Sequence, residues 1–343
     1  MNLPTQSLNI VFTGQNQVEV RPEPVPTIGP DQVLIETHCT LVSTGTESIC
    51  LGRKFGPGTH WDNWIKYPFY PGYSAAGRVL QVGAEVTEFE VGQRVAARSN
   101  HKQFEAVHVS GVHAVPDGVS DEEASWVAIA SIVQNGVRRS KLEFGETVVV
   151  VGLGLLGQLV VQYARNAGAG EVIAIDTAPI RLKMAAAHGA THTICAGVAE
   201  AATVVAELTG GAMADIAFDV TGHPAVFAPT QTLLRRFGRM VLLGDAGNPE
   251  QQFLTPSVMT RDLQIIGAHD TGPPSEPNLY YRWDKRSMIQ LFFKYVARKQ
   301  MQVEELITHR YSPHQAAEAY AMLETSRMTA MGVLFDFRML EEW

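Results

Sequence analysis

The chain has 343 residues, 45% hydrophobic and 18% charged, with 27 Lys and Arg against 35 Asp and Glu for a formal net charge of −8. At about 100–200 residues per domain this length suggests two domains, and the composition is globular rather than disordered. The acidic balance, without a basic run, argues against a nucleic-acid partner; Cys39, Cys50 and Cys195, with no C-x-x-C spacing, argue against a disulfide framework and a cysteine-built zinc site.

The first residues, MNLPTQSLNIVFTG, show no basic region before an apolar run, so no signal peptide is expected and the compartment is read as the cytoplasm. The longest apolar stretch, 147–164, is interrupted by Gly152, Gly154, Gly157, Gln158 and Gln162. It reads as strand, turn and helix rather than a membrane span. Residues 1–120 are β-rich and turn-rich. Strands are expected at Gln32–Thr37, Ala76–Val82 and Arg94–Ala97, with Gly72, Gly77, Gly83 and Gly92 between or beside them and a proline-spaced entry segment, RPEPVPTIGP. This pattern suggests a small barrel or sandwich.

After PDGVSDEEA the pattern changes. Ser120 is a candidate N-cap with Glu123 three residues on. Helical segments then alternate with TVVVV (147–151), EVIAID (171–176), ADIAFDV (214–220), RMVLLG (239–244) and LQIIGA (263–268), which implies a parallel sheet of βαβ units. The tail reads as a helix over SMIQLFFKYVARK, a second helix over SPHQAAEAYAMLE capped by Ser312, and a closing strand, MGVLFDF.

Gly152, Gly154 and Gly157 form G-x-G-x-x-G directly after a buried strand. The first glycine permits the tight turn, the second lets the backbone approach a pyrophosphate, and the third allows close packing of helix on strand. Apolar residues from Leu155 and Leu156 onward repeat at helical spacing, and the helix start offers free N–H groups to the pyrophosphate. Asp176 lies 19 residues past Gly157, where a carboxylate accepts from both ribose hydroxyls and repels a 2′-phosphate. Arg181, five residues further, would soften that repulsion. The bland alternative is a strand, turn and helix that has lost its nucleotide.

PGYSAAGRVLQVGAEVTEFEVGQRVAA (71–97), FDVTGHPAVFAPTQTLLRRFGRMVLLG (218–244) and ELITHRYSPHQAAEAYAML (305–323) stand in the order found in the medium-chain dehydrogenase/reductase superfamily, which the chain resembles from Pro22 to Phe337. The resemblance implies an α/β protein with a Rossmann doubly wound parallel sheet inserted in a GroES-like β-barrel catalytic domain. The expected boundaries are 1–127 and 270–343 for the catalytic domain and 128–269 for the Rossmann domain. Thr221 and Gly244 would join the nucleotide site, and a cleft would hold nicotinamide and substrate. A homodimer or homotetramer is implied.

Many members of the superfamily hold a catalytic zinc with Cys, His and Cys. Here Thr44 stands where the first Cys would be, Tyr73 replaces the His of the family's G-H-E, and the third ligand falls near Val127, with no Cys in 51–194. Thr, Tyr and Val do not supply the three donors such a site needs. The stretch S-T-G-T-E (43–47) resembles a zinc-free branch that includes bacteriochlorophyllide dehydrogenase-like proteins and some polysaccharide-biosynthesis oxidoreductases. No metal is therefore expected.

Without a metal, side chains must handle the hydroxyl proton. Thr46 matches the family's proton-relay position, or is a buried turn hydroxyl. Glu47 matches an acid usually paired with a basic residue on the last strand, where this chain has Met331; it is either freed to act as a base or is a satisfied structural carboxylate. Tyr73 either donates to a carbonyl or plugs the vacated metal pocket. His101 either carries the proton or is an exposed loop histidine. For substrate, HWDNWIKYPFYPGY (60–73) supplies Trp61, Trp64, Tyr67 and Tyr73, and the last Rossmann strand and NLYYRWDKR add His269, Tyr280 and Trp283. Flat rings beside polar donors suit a sugar or cyclitol, an aromatic aglycone or a quinone; they equally suit core packing and subunit contact.

The expectation is a zinc-independent, NAD-linked oxidoreductase acting on a small polar secondary alcohol or ketone, with a sugar, glycoside or cyclitol as the class. Two alternatives stand beside it: an NADPH-dependent quinone or enone reductase, and a nucleotide-binding redox sensor or scaffold without turnover.

Overall fold

The structure is a computed structural model that describes residues 4–274, 276–279 and 281–340. It divides into two compact units. One comprises the chain up to Lys54, His60–Ile129 and the chain from Ile289; the other comprises Phe55–Thr59 and Ala130–Met288. Among the described residues no helix is long and apolar enough to cross a membrane.

The first unit begins with an antiparallel hairpin, β1 (Gln6–Gly14) and β2 (Gln17–Pro24). It continues through β3 (Gln32–Leu41), β4 (Ala75–Val82), β5 (Arg94–Ala97), β6 (Phe104–His108) and β7 (Val112–Ala114). Between β3 and β4 lie the helices α1 (Thr44–Gly52) and α2 (His60–Trp64), and after β7 come α3 (Asp121–Ala124) and α4 (Val127–Arg139), which from Ala130 on belongs to the second unit. Ser120 caps α3 as expected: its hydroxyl accepts from Glu123 N–H and the Glu123 carboxylate accepts from Ser120 N–H.

The second unit holds the strands β8 (Thr147–Val151), β9 (Glu171–Asp176), β10 (His192–Cys195), β11 (Ala214–Asp219), β12 (Leu234–Leu242) and β13 (Gln264–Gly267). Their order is β10-β9-β8-β11-β12-β13 and every pairing is parallel. The order reverses between β8 and β11, the switch point where doubly wound sheets bind ligands. Val148, Val149 and Val150 are fully buried, which explains an unbroken β-branched run in place of an alternating one. The chain returns to the first unit with β14 (Ile307–Tyr311) and β15 (Gly332–Asp336). The seven-stranded sheet of this unit runs β14-β15-β3-β4-β5-β7, with β6 paired to β3.

The second boundary falls at Met288 rather than at residue 269. Residues 270–288 stay with the parallel sheet because α4 holds them. Asn135 Nδ2 donates to the His269 carbonyl at 3.0 Å, Tyr281 Oη donates to Asn135 Oδ1 at 2.8 Å, and Gln134 Nε2 donates to the Met288 carbonyl at 2.9 Å. The short segment 55–59 likewise belongs there, with Gly56 N–H bonded to the Gly247 carbonyl.

Candidate functional site

In the second unit, β8 leads into Gly152 at φ +90°, and α5 (Leu155–Asn166) begins at once. A Cβ on Gly157 would lie 2.0 Å from the Gly152 carbonyl oxygen, so the helix packs against the turn only with glycine there. At Gly154 a Cβ would meet nothing within 4 Å. That opening lies at the helix N-terminus, where the first amide groups lack intrahelical acceptors. Leu155 is buried and Leu156 half-buried, so these two fix the first turn through packing. Thr221 and Gly244 close the same corner. The Thr221 methyl lies against Gly152, and a Cβ on Gly244 would lie 2.4 Å from the Gly222 nitrogen. The Thr221 hydroxyl donates to Asp219, a carboxyl whose pKa burial pushes upward.

Asp176 ends β9. One carboxylate oxygen accepts from Leu153 N–H at 2.7 Å and the other from Ala178 N–H at 2.8 Å; Arg181 Nη1 stands 3.9 Å away. The carboxylate thus ties the glycine turn to the end of β9, and retains lone pairs for further donors. The empty side of Gly154, the helix start and this carboxylate fit a dinucleotide.

The first unit contains a separate pocket of about 240 Å³. Thr46 and Glu47 of α1, Trp64 of α2, and Phe69, Tyr70 and Tyr73 of the following loop line it. The loop is fixed by Asn100, whose Nδ2 donates to the Tyr70 and Gly72 carbonyls. Trp64, 51% exposed, meets Phe69 edge-on at 5.4 Å. The other expected substrate aromatics are placed elsewhere. Trp61 is 3% exposed and packed in the core, and the Tyr67 hydroxyl is turned to the Cys50 carbonyl at 2.8 Å. Both were expected at substrate, and neither lines the pocket. His269 and Trp283 belong to the second unit; His269 Nδ1 meets Thr271 Oγ1, and Trp283 lies under the Arg138 guanidinium at 3.6 Å. Tyr280 lies outside the described residues.

Glu47 is 1% exposed. Its Oε1 accepts from Ser43 N–H at 2.7 Å, and its Oε2 meets the Tyr320 hydroxyl at 2.5 Å and His101 Nε2 at 3.0 Å. His101 Nδ1 meets Thr40 Oγ1 at 2.6 Å. The exposed-loop reading of His101 is therefore corrected: the ring is 0% exposed. Its loop is stitched down on two sides, by Ile10 N–H to the His101 carbonyl and by His101 N–H to the Pro71 carbonyl. Of the two readings of Glu47, the one that left it without a partner is corrected too, since Ser43 N–H, the Tyr320 hydroxyl and the His101 ring surround it. Sequence reasoning missed Tyr320. Its signal was the apolar face of Ala316, Ala319, Tyr320 and Leu323 on one helix, since a buried phenol needs a partner.

The Tyr73 hydroxyl lies 2.5 Å from Ser43 Oγ. Burial raises the Tyr73 pKa, the Glu47 charge adds to this, and the Ser43 and Thr46 bonds and the Arg98 charge oppose it. Cys39 and Cys50 are buried, and burial pushes both thiols far up. Of the residues that the family resemblance sets where zinc ligands are expected, Thr44 opens α1 and Val127, 1% exposed, opens α4. With Tyr73 they offer two hydroxyls and an alkyl group, a donor set that does not fit zinc.

The chain matches two family descriptions: an alcohol dehydrogenase GroES-like domain over residues 29–207 and a zinc-binding dehydrogenase over residues 156–282. A sorbitol dehydrogenase of Bacillus subtilis is 25% identical over 288 residues, covering 75% of this chain and 80% of that protein. An L-threonine 3-dehydrogenase of the same organism is 27% identical, covering 85% and 90%. A solved zinc-binding dehydrogenase from Sinorhizobium meliloti, bound to NADP, superposes with a TM-score of 0.81 at 19% identity over 97% of this chain and 100% of that one.

Proposed function

The chain belongs to the medium-chain dehydrogenase/reductase superfamily, and from that premise we propose that it is an NAD-linked, zinc-independent oxidoreductase of a polar secondary alcohol or its ketone. The observation that carries this reading is the pocket of the first unit, where Thr46, Glu47 and Tyr73 gather on an aromatic wall and no side chain at the zinc-ligand positions is a zinc donor. Bound at the glycine turn, the nicotinamide nucleotide supplies the hydride acceptor or donor. Gly154 and the first turn of α5 would hold its pyrophosphate, and Asp176 its ribose. Thr46, Glu47, Tyr73 and His101 form the proton-handling side, the last through its bond to Glu47.

The preference for NAD rests on Asp176, whose charge opposes a 2′-phosphate; Arg181 at 3.9 Å moderates that opposition. The sorbitol and threonine dehydrogenases among the relatives act on small hydroxylated molecules, in keeping with the sugar or cyclitol class. A small-molecule substrate, assembly of identical chains and a cytoplasmic location complete the reading.

A panel of sugars, glycosides, cyclitols, simple alcohols, quinones and enones, each tried with NAD(H) and NADP(H), tests it. The expected result is turnover of a polyhydroxylated alcohol with tighter binding of NADH than NADPH, and a narrower gap in Asp176→Ala. Quinone or enone reduction with NADPH and no alcohol oxidation would replace this reading with a reductase. Tight NADH binding without turnover of any class would point to a sensor.

A further inference from the structure

We propose that Tyr73 is the residue that exchanges the proton with the substrate oxygen, and that Ser43 and Arg98 are the positioning residues that equip it to do so. The proposal rests on the oxidoreductase reading for its substrate, and on geometry within one unit for everything else. Tyr73 lines the pocket. Its hydroxyl has a hydroxyl partner, Ser43 Oγ at 2.5 Å. The Arg98 guanidinium stands over its ring, 4.9 Å from the centroid.

A phenol works as a base only if its anion is tolerable where it forms. The Ser43 hydroxyl can rotate to donate to a phenolate oxygen, and a cation over the ring favours the charge delocalised into it. Ser43 is well placed for this because it is not used as a helix cap. It precedes α1, yet its hydroxyl turns to Tyr73 while its backbone N–H is taken by Glu47. The backbone before Tyr73 is also constrained. Gly72 has φ +87°, and a Cβ there would lie 2.7 Å from His101 Nδ1, so the loop carrying Tyr73 runs tight against the buried histidine.

The charged and titratable groups around the phenol are Glu47 from α1, Arg98 from the segment after β5, and His101 behind Gly72. Glu47 is the opposing charge, and it is engaged by Ser43 N–H, Tyr320 and His101. The balance leaves the Tyr73 pKa raised, with burial the largest cause. The phenol is thus protonated at neutral pH. It donates to a ketone oxygen there, and takes a proton from an alcohol only as the pH rises.

The step balances. In oxidation the substrate would lose its carbinol hydrogen as hydride, for which the bound nicotinamide nucleotide would be the acceptor, and its O–H proton would pass to the Tyr73 phenolate oxygen, leaving a ketone two electrons poorer. In reduction the same bonds form in reverse, and the phenol returns its proton to the substrate oxygen.

The test uses the full-length protein and the variants Tyr73→Phe, Ser43→Ala, Arg98→Gln and Arg98→Lys. The difference in ultraviolet tyrosinate absorbance between wild type and Tyr73→Phe, followed against pH, isolates the Tyr73 phenol without any substrate. Arg98→Gln is expected to move that titration upward by about one pH unit, and Ser43→Ala to move it the same way while leaving the N–H that Glu47 accepts. Arg98→Lys should return most of the shift. With the alcohol found in the panel, Tyr73→Phe should lower kcat roughly 100-fold or more at unchanged NADH affinity, and the alkaline limb of the kcat profile should follow the tyrosinate titration in each variant. A tyrosinate signal unmoved by Arg98→Gln and Ser43→Ala overturns the proposal whatever the activity. So does a Tyr73→Phe enzyme that keeps its kcat. A signal that moves in a protein with no turnover of any alcohol or ketone supports the tuning and counts against the oxidoreductase reading instead.

Discussion

A carboxylate that is 1% exposed must find its donors inside the protein, and Glu47 finds them in a backbone N–H, a phenol and an imidazole. Each bond to a buried charge is worth more than one at the surface, and removing a donor leaves desolvation uncompensated. Tyr320 supplies the bond at 2.5 Å and also packs its ring edge-on against Phe12 at 5.0 Å. Tyr320→Phe keeps the ring and deletes only the hydroxyl. It is expected to lower unfolding stability by about 1–3 kcal/mol, seen as a lower denaturant midpoint with an unchanged slope, while NADH affinity stays as in wild type. A midpoint unchanged within error would mean that the bond contributes nothing to Glu47. None of this partnership was legible in the sequence. The helix periodicity placed Tyr320 inward, but its carboxylate lies 273 positions away. The missing basic residue on the last strand suggested a vacancy that a phenol and an imidazole from other segments fill.

At the scale of the element, the strand, turn and helix around Gly152 separate two roles that a motif merges. A methyl at Gly157 would collide with the Gly152 carbonyl at 2.0 Å, whereas one at Gly154 meets open space. Gly157→Ala is therefore a folding lesion. Gly154→Ala should melt within a degree or two of wild type and yet weaken NADH binding about tenfold, roughly 1.4 kcal/mol, because the methyl would stand in the open space proposed for the pyrophosphate. Fluorescence titration of that variant decides; unchanged affinity would remove the nucleotide from this corner. The central strands were readable because Val148, Val149 and Val150 are buried on both faces and so form continuous apolar runs. β10 escaped because it is a short edge strand in which only Ile194 is buried. β2 escaped because Pro22 and Pro24 read as part of a proline-spaced entry segment. It pairs with β1 alone, and an edge strand tolerates residues that cannot donate.

At the scale of the whole molecule, the two-unit organisation followed from the change of pattern near residue 120 and from the family resemblance; the position of the second boundary did not. The aromatic segment after residue 278 carried no sign that Asn135 and Gln134 of α4 would hold it to the parallel sheet. The proposed chemistry is that this chain, with Thr44, Tyr73 and Val127 where the resemblance expects zinc ligands, transfers hydride by side-chain proton handling alone. Metal content and turnover of the same preparation, before and after exhaustive dialysis against a chelator, test that claim most directly. Far less than one zinc per chain and full alcohol oxidation after dialysis are expected. Near-stoichiometric zinc, with activity lost on its removal and regained on its return, would contradict it.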